Sequence, residues 1–427
     1  MRIDRREKRN MQMGRWLSAG LFFVYALAAC GGSDDGSPGE KTTLRIAWMG
    51  PEREAFRAWK KGFEAEHPGV RIEQRFIPYD QGPTVFNTMI QGGTLPDLGY
   101  LFMGMISEYA ERGVLEPLDD YMTADERNAW ISTALSAGEY RGTTYGVPLW
   151  GANRVLYARR DWMEEAGVSA PPDTWEAVRD LAVKLNSPPE RYGICVGAGR
   201  PKHLMQEQIA MMWGFGADFF DRDGRLAINS PEAEAYVTFL TDMHLVDRAM
   251  PPGILNLNAD DCYAVMDAGK AGLTFSGPWQ YVRCLDAGVS CEPLMTPAGR
   301  DRKMLLILDI LSVFSTSKQK DLAYDFIRFT QRPENRELMD VENGGVPVTR
   351  SVSGHAYYRT LPIRNYLAQV DLIKLTPKHP EWTKIQDGWG EAIQMVLAGT
   401  ASPREALDKV YGRLMRELED PTLPRED

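Results

Sequence analysis

Strand and helix patterns alternate at the start of the folded part of this chain. Residues 44–50 alternate apolar and polar side chains as a strand does, residues 52–69 carry apolar side chains at helical spacing and end in Pro-Gly, and residues 70–78 repeat the strand pattern. A second helix and a third short strand follow within residues 86–101. This β-α-β-α-β order predicts an α/β fold with a mainly parallel sheet covered by helices.

Later segments carry more helix patterns and suggest a second folded body. Residues 171–186 have a helical pattern with Asp173 or Thr174 as the N-cap, and the tail predicts two amphipathic helices joined at residues 399–403. At 427 residues, the chain exceeds what one hydrophobic core usually supports. We therefore expect two lobes.

The first 29 residues differ from the rest of the chain. A basic start precedes an apolar run that is too short to span a membrane, and small residues lead to Cys30. This pattern predicts a secretory signal peptide over residues 1–29. Leu27-Ala28-Ala29-Cys30 resembles the lipobox of bacterial lipoproteins, in which the signal is cut before a cysteine that is then lipidated. Residues 30–43 are rich in Gly, Ser and Asp and predict a flexible tether, so we expect an exported protein anchored by lipid at the extracytoplasmic face of a membrane or in the periplasm.

Charge and cysteine content narrow the possible partners. Without residues 1–29 the chain has 43 Lys and Arg against 57 Asp and Glu, a net charge of −14 with no basic stripe, which argues against nucleic acid. Among the four cysteines after Cys30, Cys284 and Cys291 can close a short loop; Cys195 and Cys262 would then form the other pair, but three pairings are open. The sequence contains no CxxC motif and no His-Cys cluster, so we expect neither a metal site nor a cofactor.

Five stretches in order resemble the extracellular solute-binding proteins of ABC importers, specifically the group that includes maltose-binding and other sugar-binding receptors. Together they extend the likeness over essentially all of residues 44–420. Each stretch consists mostly of turn residues and helix patterns that many proteins share. The order of all five is therefore stronger evidence for the resemblance than any single stretch. The stretches are residues 89–101, 145–178, 267–280, 311–339 with 344–352, and 379–407.

The resemblance implies a two-lobe fold of the periplasmic-binding-protein type (type II), with hinge strands and a central cleft that holds the solute. Ligand closes the hinge, and the ABC permease recognises the closed shape. The implied protein is a monomer without catalytic residues. By analogy, lobe 1 comprises residues 44–148 and 297–350, and lobe 2 comprises residues 149–296 and 351–427.

Candidate ligand contacts follow from the chemistry of a carbohydrate, which presents hydroxyl groups and flat faces of C–H bonds. A receptor needs aromatic platforms for the faces and polar groups for the hydroxyls. Trp279 follows the Gly277-Pro278 turn and is expected to stack on a pyranose ring, with packing into its own lobe as the alternative. The other candidates lie at strand ends, at the proposed crossover and near glycine-rich turns: Trp48, Tyr79, Asp80, Gln81, Tyr100, Phe102, Trp150, Asn153, Trp213 and Asn343.

Asp309 is the sharpest of these hypotheses. It interrupts the apolar run MLLILDILSVF, where a family member usually has Gly-Gly in place of Leu308-Asp309. A buried carboxylate is costly without partners, so we expect Asp309 to bind ligand hydroxyl groups or to pair with an arginine.

Other functions stay open at this point. A polyamine receptor would use aromatic residues and several carboxylates. A secreted carbohydrate-active enzyme would need paired carboxylates, which the composition permits, although no GxSxG or HExxH motif occurs. Tyr357-Tyr358 resemble the adjacent tyrosines of ferric-ion receptors, but an aromatic pair beside a helix is the favoured interpretation.

Overall fold

The computed structural model describes residues 41–199, 206–351 and 354–423, without the side chain of Asp80. The predicted signal peptide and Cys30 lie outside the described residues. Thr42 and Thr43, predicted to belong to the tether, instead begin the first strand because they pair with Val70 and Arg71. None of the helices within the described ranges is both long and apolar enough to cross a membrane.

Eleven strands and sixteen α-helices are found in the described residues. The strands are β1 Thr42–Met49, β2 Val70–Ile77, β3 Leu98–Phe102, β4 Glu139–Tyr140, β5 Thr143–Thr144, β6 Val147–Arg159, β7 Tyr192–Cys195, β8 Ala271–Ser276, β9 Cys291–Pro293, β10 Met304–Val313 and β11 Ile373–Lys374. The helices are α1 Glu54–Glu66, α2 Gly82–Gln91, α3 Met103–Glu111, α4 Ala124–Ala129, α5 Ser132–Ser136, α6 Arg160–Glu165, α7 Trp175–Leu185, α8 Glu207–Gly214, α9 Pro231–Thr241, α10 Ala259–Asp267, α11 Trp279–Ala287, α12 Lys320–Thr330, α13 Pro333–Asn343, α14 Leu361–Leu367, α15 Trp382–Leu397 and α16 Pro403–Glu417.

The predicted β-α-β-α-β opening is confirmed as β1-α1-β2-α2-β3. Helix α1 places Phe56, Trp59 and Phe63 on one buried face, as their spacing predicts. Thr174 is the N-cap of α7, because its hydroxyl oxygen accepts a hydrogen bond from the backbone N–H of Ala177 at 3.1 Å. The two predicted tail helices are α15 and α16.

The central sheet is mixed rather than mainly parallel. Its strand order is β2-β1-β3-β10-β6-β8-β7, with β11 beside β10 and β9 beside β6. Parallel pairing holds for β1 with β2 and β3, and for β7 with β8. Strand β10 runs antiparallel to both β3 and β6 and parallel only to the short β11, so the sequence-based expectation of a mainly parallel sheet is wrong for its centre.

Strand β6 belongs to two parts of this sheet in succession. Residues 147–154 pair with β10, whereas residues 155–159 pair with β8 and β9. A single extended strand thus connects the β1-β2-β3 part to the β7-β8-β9 part of the two-lobe α/β fold. The lobe limits given above remain predictions.

A β-bulge interrupts the pairing of β6 with β10. Asp309 lies opposite Trp150 and Ile310 lies opposite Pro148, which leaves Leu149 as the extra residue. The buried guanidinium of Arg336, from α13, donates to the carbonyl oxygens of Pro148 at 3.3 Å and Leu149 at 2.5 Å. The bulge therefore has backbone acceptors that a helix side chain satisfies.

Two disulfides lie in the β7-β8-β9 part of the fold. One joins Cys195 at the end of β7 to Cys262 in α10, and the other joins Cys284 in α11 to Cys291 in β9. This is one of the three pairings that the sequence leaves open.

Candidate functional site

A cleft of about 570 Å³ lies where β6 and β10 meet the surrounding loops and helices. Its size falls within the range of roughly 300–1,000 Å³ that is usual for small-molecule sites. Residues of β1, β3 and β10 and of the segments after β1 and β2 line it, together with residues of β6, α8, α10, α11 and α13. A ligand in this cleft would contact both parts of the sheet.

Two tryptophans form an aromatic wall of the cleft. The rings of Trp150 and Trp279 are nearly parallel, with centroids 6.0 Å apart and an interplanar angle of 20°. Trp279 is the first residue of α11, and its ring folds over Gly277, where an added Cβ would come within 2.3 Å of the ring. Gly345 has the same relation to Trp150, with an added Cβ 2.2 Å from the indole nitrogen. A side chain at Gly277 or Gly345 would therefore clash with the neighbouring tryptophan ring, so both positions require glycine for this arrangement.

Asp309 accepts hydrogen bonds from two tyrosines at the floor of the cleft. The Tyr100 hydroxyl donates to its Oδ2 at 2.5 Å, and the Tyr79 hydroxyl donates at 3.2 Å to Oδ1 and 3.4 Å to Oδ2. The side chain of Asp309 is fully buried, and this burial raises its pKa to about 7, although the two tyrosine hydrogen bonds and the charge of Arg154 act in the opposite direction. Of the two alternatives for Asp309, pairing with an arginine is not found, since two phenols bind the carboxylate and no arginine hydrogen-bonds it in the described part of the chain; contact with a ligand stays a prediction.

The two tyrosines stay protonated in this arrangement. Desolvation, reinforced by the negative charge of Asp309, raises the pKa of both Tyr79 and Tyr100 well above 10. Each phenol therefore keeps its O–H across the physiological pH range and can donate it to Asp309 whenever that carboxyl group is ionised.

A buried ion pair faces this cluster from the other side of the cleft. Arg154 Nε lies 3.1 Å from Glu207 Oε1, and the Tyr263 hydroxyl donates to the same oxygen at 2.6 Å. The Arg154 guanidinium also lies 4.9 Å from the ring centroid of Trp279, within cation–π range. Burial raises the pKa of Glu207, while Arg154 and Tyr263 favour its charged form.

Seven of the predicted site residues line this cleft. Trp48 is buried and packs edge-on against Tyr100, with centroids 4.8 Å apart, so it supports the wall as well as lining it. Asn343, the last residue of α13, also lines the cleft. The seven are Trp48, Tyr79, Tyr100, Trp150, Trp279, Asp309 and Asn343.

The structure places the other predicted residues elsewhere. The ring centroids of Phe102 and Tyr79 lie 4.5 Å apart, and Phe102 lines an adjoining cavity of about 100 Å³. Asn153 is buried beside Met304, because its position in β6 points it into the core. Trp213 is buried at the end of α8, where its indole N–H donates to Asp218 at 3.2 Å. Gln81 is exposed in the turn after β2, and the side chain of Asp80 is outside the described residues.

Sequence reasoning missed several residues that line the cleft. Arg154 carries a signal like that of Asp309, since it is a charged residue within the largely apolar residues 147–158, whereas Glu207 lies between two glutamines. The others lie in helices, loops, β1 and β10 and have no distinctive local pattern. The residues missed are Met49, Gly50, Pro51, Arg53, Arg154, Gln206, Glu207, Asn258, Ala259, Asp260, Tyr263, Ile307 and Met339.

Comparison with known proteins places the chain among binding proteins. Residues 50–337 match the family model described as bacterial extracellular solute-binding protein. The chain is 26% identical over 361 residues to the maltotriose-binding protein of Pyrococcus abyssi (strain GE5 / Orsay), covering 81% of this chain and 75% of that protein. It is 23% identical over 403 residues to the galactooligosaccharide-binding protein of Bacillus subtilis (strain 168), covering 90% and 92%.

The fold is similar to that of the maltose-bound MalE3 protein of T. maritima. The TM-score is 0.80 at 20% sequence identity, over 88% of this chain and 100% of that chain. This likeness shows the two-lobe fold with its central cleft.

Proposed function

Because the chain belongs to the family of bacterial extracellular solute-binding proteins, we propose that it is the receptor of an ABC importer for a carbohydrate, most simply an oligosaccharide. The observation that carries the proposal is the cleft in which the parallel Trp150 and Trp279 lie beside the hydrogen-bonded cluster of Asp309, Tyr79 and Tyr100. The names of the relatives support a carbohydrate ligand.

The chemistry of the cleft suits a polyhydroxylated ligand. An aromatic surface favours the C–H faces of a sugar ring, and the polar groups around it can replace the water that ligand hydroxyl groups lose. Arg154 and Glu207 neutralise each other, and Asp309 is bound by two phenols. Most of the polarity of the cleft is therefore hydrogen-bonding capacity rather than net charge, which is what a neutral sugar requires.

Ligand binding is coupled to closure in this proposal. Residues of both parts of the sheet line the cleft, and a ligand can contact both at once only when the lobes approach. The resulting difference in affinity between open and closed forms shifts the population toward the closed form. The permease would then read the closed form, and the receptor would act as a monomer.

The proposal includes a lipid anchor at Cys30. Support comes from the lipobox-like Leu27-Ala28-Ala29-Cys30 and from the extracellular character of the family. Replacing Cys30 with Ser should abolish incorporation of radiolabelled palmitate in cells and release the protein from the membrane fraction. Retention of label by Cys30→Ser would contradict the anchor while leaving the carbohydrate proposal intact.

The charged residues of the cleft bear on one alternative function, a polyamine receptor. Three acidic residues line it, namely Glu207, Asp260 and Asp309, but two arginines, Arg53 and Arg154, line it as well. A polycation would have to approach these arginines, which opposes its binding. The carbohydrate is therefore preferred, and spermidine serves as a probe for the alternative.

A thermal-shift screen of the purified chain tests the proposal. The probes are maltose, maltotriose, a galactooligosaccharide, mannitol and spermidine. At least one of the four carbohydrate probes should raise the unfolding temperature, Trp279→Ala should remove the rise, and Tyr281→Ala, on the same helix but outside the cleft, should keep it. A rise with spermidine alone would overturn the carbohydrate assignment, and chromatography of the recovered probe would reveal any turnover by an enzyme.

A further inference from the structure

The direction of the hydrogen bonds around Asp309 restricts what the two tyrosines can offer a ligand. A phenol has one O–H donor and lone pairs that accept. Tyr79 and Tyr100 both direct that single proton to the fully buried Asp309 carboxylate. Both residues line the cleft. While Asp309 is ionised, their oxygens can therefore only accept a hydrogen bond from a group in the cleft.

We propose that Asp309 determines specificity by fixing the hydroxyl oxygens of Tyr79 and Tyr100 as acceptors, so that this wall selects ligand hydroxyl groups that donate. The inference rests on the proposed carbohydrate function and deepens it, since it specifies the hydrogen-bond polarity of the sugar face. A hydroxyl group can donate to the tyrosine oxygens, whereas an ether, a methoxy group or a carbon–fluorine bond cannot.

The surroundings of Asp309 hold this polarity in place. Its backbone lies between Phe102 of β3 and Trp150 of β6, at the bulge, so the carboxylate is fixed from two strands. The titratable or charged groups that act on it are the Tyr79 and Tyr100 phenols and the Arg154 guanidinium. Neither phenol can reverse its bond while the carboxylate is ionised, because an ionised carboxylate only accepts.

The distances and exposures assign different roles to the two tyrosines. Tyr100 is buried and makes the shorter bond, 2.5 Å, which anchors the carboxylate. Tyr79 is 36% exposed and makes the longer bonds, so it is the tyrosine that a ligand reaches more readily. The discrimination against ligands without a donor should therefore be largest at Tyr79.

Calorimetric titration with modified probes tests the proposal. Maltose, maltotriose, a galactooligosaccharide and mannitol are each compared with derivatives in which one hydroxyl at a time is replaced by fluorine. For a probe that binds, at least one position should lose about tenfold in affinity on fluorination in the wild-type protein, and this loss should largely disappear in Tyr79→Phe. Tyr281→Phe, outside the cleft, should keep it. The proposal is overturned if fluorination costs nothing at every position, or if the loss is the same in Tyr79→Phe as in the wild type.

A second variant tests the role of Asp309 itself. Asp309→Asn keeps the shape of the side chain but introduces an N–H₂ donor, which lets one tyrosine turn its proton toward the cleft. In Asp309→Asn, the loss of affinity that fluorination causes should be at least severalfold smaller than in the wild type, provided that the circular dichroism of the variant matches the wild type. Unchanged discrimination in a folded Asp309→Asn would overturn the proposal.

A measurement without ligand separates this inference from the proposed function. Tyrosines labelled with ¹³C at Cζ report the hydrogen bonding of each phenol by NMR, and Tyr79→Phe and Tyr100→Phe assign the two signals. At pH 8 at least one of the two signals should lie at a different position in the wild type than in Asp309→Asn, because the introduced amide offers an N–H₂ donor to one phenol whereas the ionised carboxylate only accepts. Coincidence of both signals in the two proteins at pH 8 would overturn the inference, even with every carbohydrate probe bound. If no carbohydrate binds, the proposed function fails, and the NMR result still decides the hydrogen-bond polarity.

Discussion

Asp309 couples the hydrogen bonding of the cleft to the stability of the whole chain. Burial raises its pKa in the folded state from an ordinary value of 3.8 to about 7. The folded state therefore keeps a proton that the unfolded chain releases, and the stability contributed by this residue is full below about pH 4 and is lost as the pH rises to about 7. A change of this size corresponds to about 4 kcal/mol at most.

Urea unfolding at several pH values measures this coupling. Between pH 4 and pH 7, the free energy of unfolding of the wild type should fall relative to that of Asp309→Asn, by up to about 4 kcal/mol. Above pH 8 the difference should be constant. A difference that does not change with pH would show that Asp309 titrates in the folded protein as it does in the unfolded chain.

At the scale of single residues, the sequence predicts which side chains are unusual but not which of them meet. Asp309 stands out because a carboxylate interrupts a run of apolar residues, and Trp279 stands out because it follows Gly-Pro. The partners of Asp309 could not be predicted, since Tyr79 and Tyr100 lie more than 200 positions away and reach it only through strand pairing. Trp213, like Trp279, lies close to glycine in the sequence, yet it is buried in α8 and does not line the cleft.

At the scale of elements, the bulge in β6 depends on one buried arginine. Arg336 donates to the carbonyl oxygens of Pro148 and Leu149 and lies 3.2 Å from Asp340, which in turn accepts from the Tyr358 hydroxyl at 2.8 Å. Removing the guanidinium would leave the buried backbone acceptors without this donor and the buried Asp340 carboxylate without its positive partner.

Substitution of Arg336 by Met tests this dependence. The free energy of unfolding should fall by about 3–5 kcal/mol, because breaking one partner of a buried pair leaves the other charge uncompensated. The matched control is Arg332→Met at the start of the same helix. Its ion pair with Glu66 at 2.7 Å is exposed, so the loss should be at most about 1 kcal/mol. Equal losses in the two variants would contradict the role assigned to Arg336.

Elements with regular periodicity are the part of the fold that the sequence predicts well. The opening β-α-β-α-β unit, the Thr174 cap and the α15-α16 tail all follow local rules of spacing and capping. The crossing strand β6 does not, because its 13 residues are buried on both faces and show no alternation. Its bulge and its change of partner arise from long-range pairing that no local pattern records.

At the scale of the whole molecule, the two disulfides should differ in their effect on stability. Cys195–Cys262 closes a loop of 67 residues and Cys284–Cys291 a loop of 7. In the chain-entropy description, the longer loop contributes about 4 kcal/mol and the shorter about 2 kcal/mol. Replacing Cys195 and Cys262 together by Ala should therefore lower the unfolding temperature more than replacing Cys284 and Cys291 together, as measured by calorimetry. The reverse order would show that strain or residual structure outweighs loop closure here.

The architecture of the molecule was predictable mainly from the length of the chain and from the order of the five stretches that resemble solute-binding proteins. Length alone indicates two lobes, and the family resemblance supplies the type of fold. The mixed character of the sheet was not predictable, because the antiparallel insertion of β10 between β3 and β6 joins segments about 150 to 200 residues apart. The cleft arises at this insertion, which is why its residues are scattered along the sequence.

The most direct test of the carbohydrate proposal is small-angle X-ray scattering of the purified chain with and without each probe. The proposal predicts that the same carbohydrate probe that raises the unfolding temperature also lowers the radius of gyration, and that Trp279→Ala shows neither change. A profile that stays unchanged with maltose, maltotriose, a galactooligosaccharide and mannitol at saturating concentrations would contradict ligand-driven closure around the cleft.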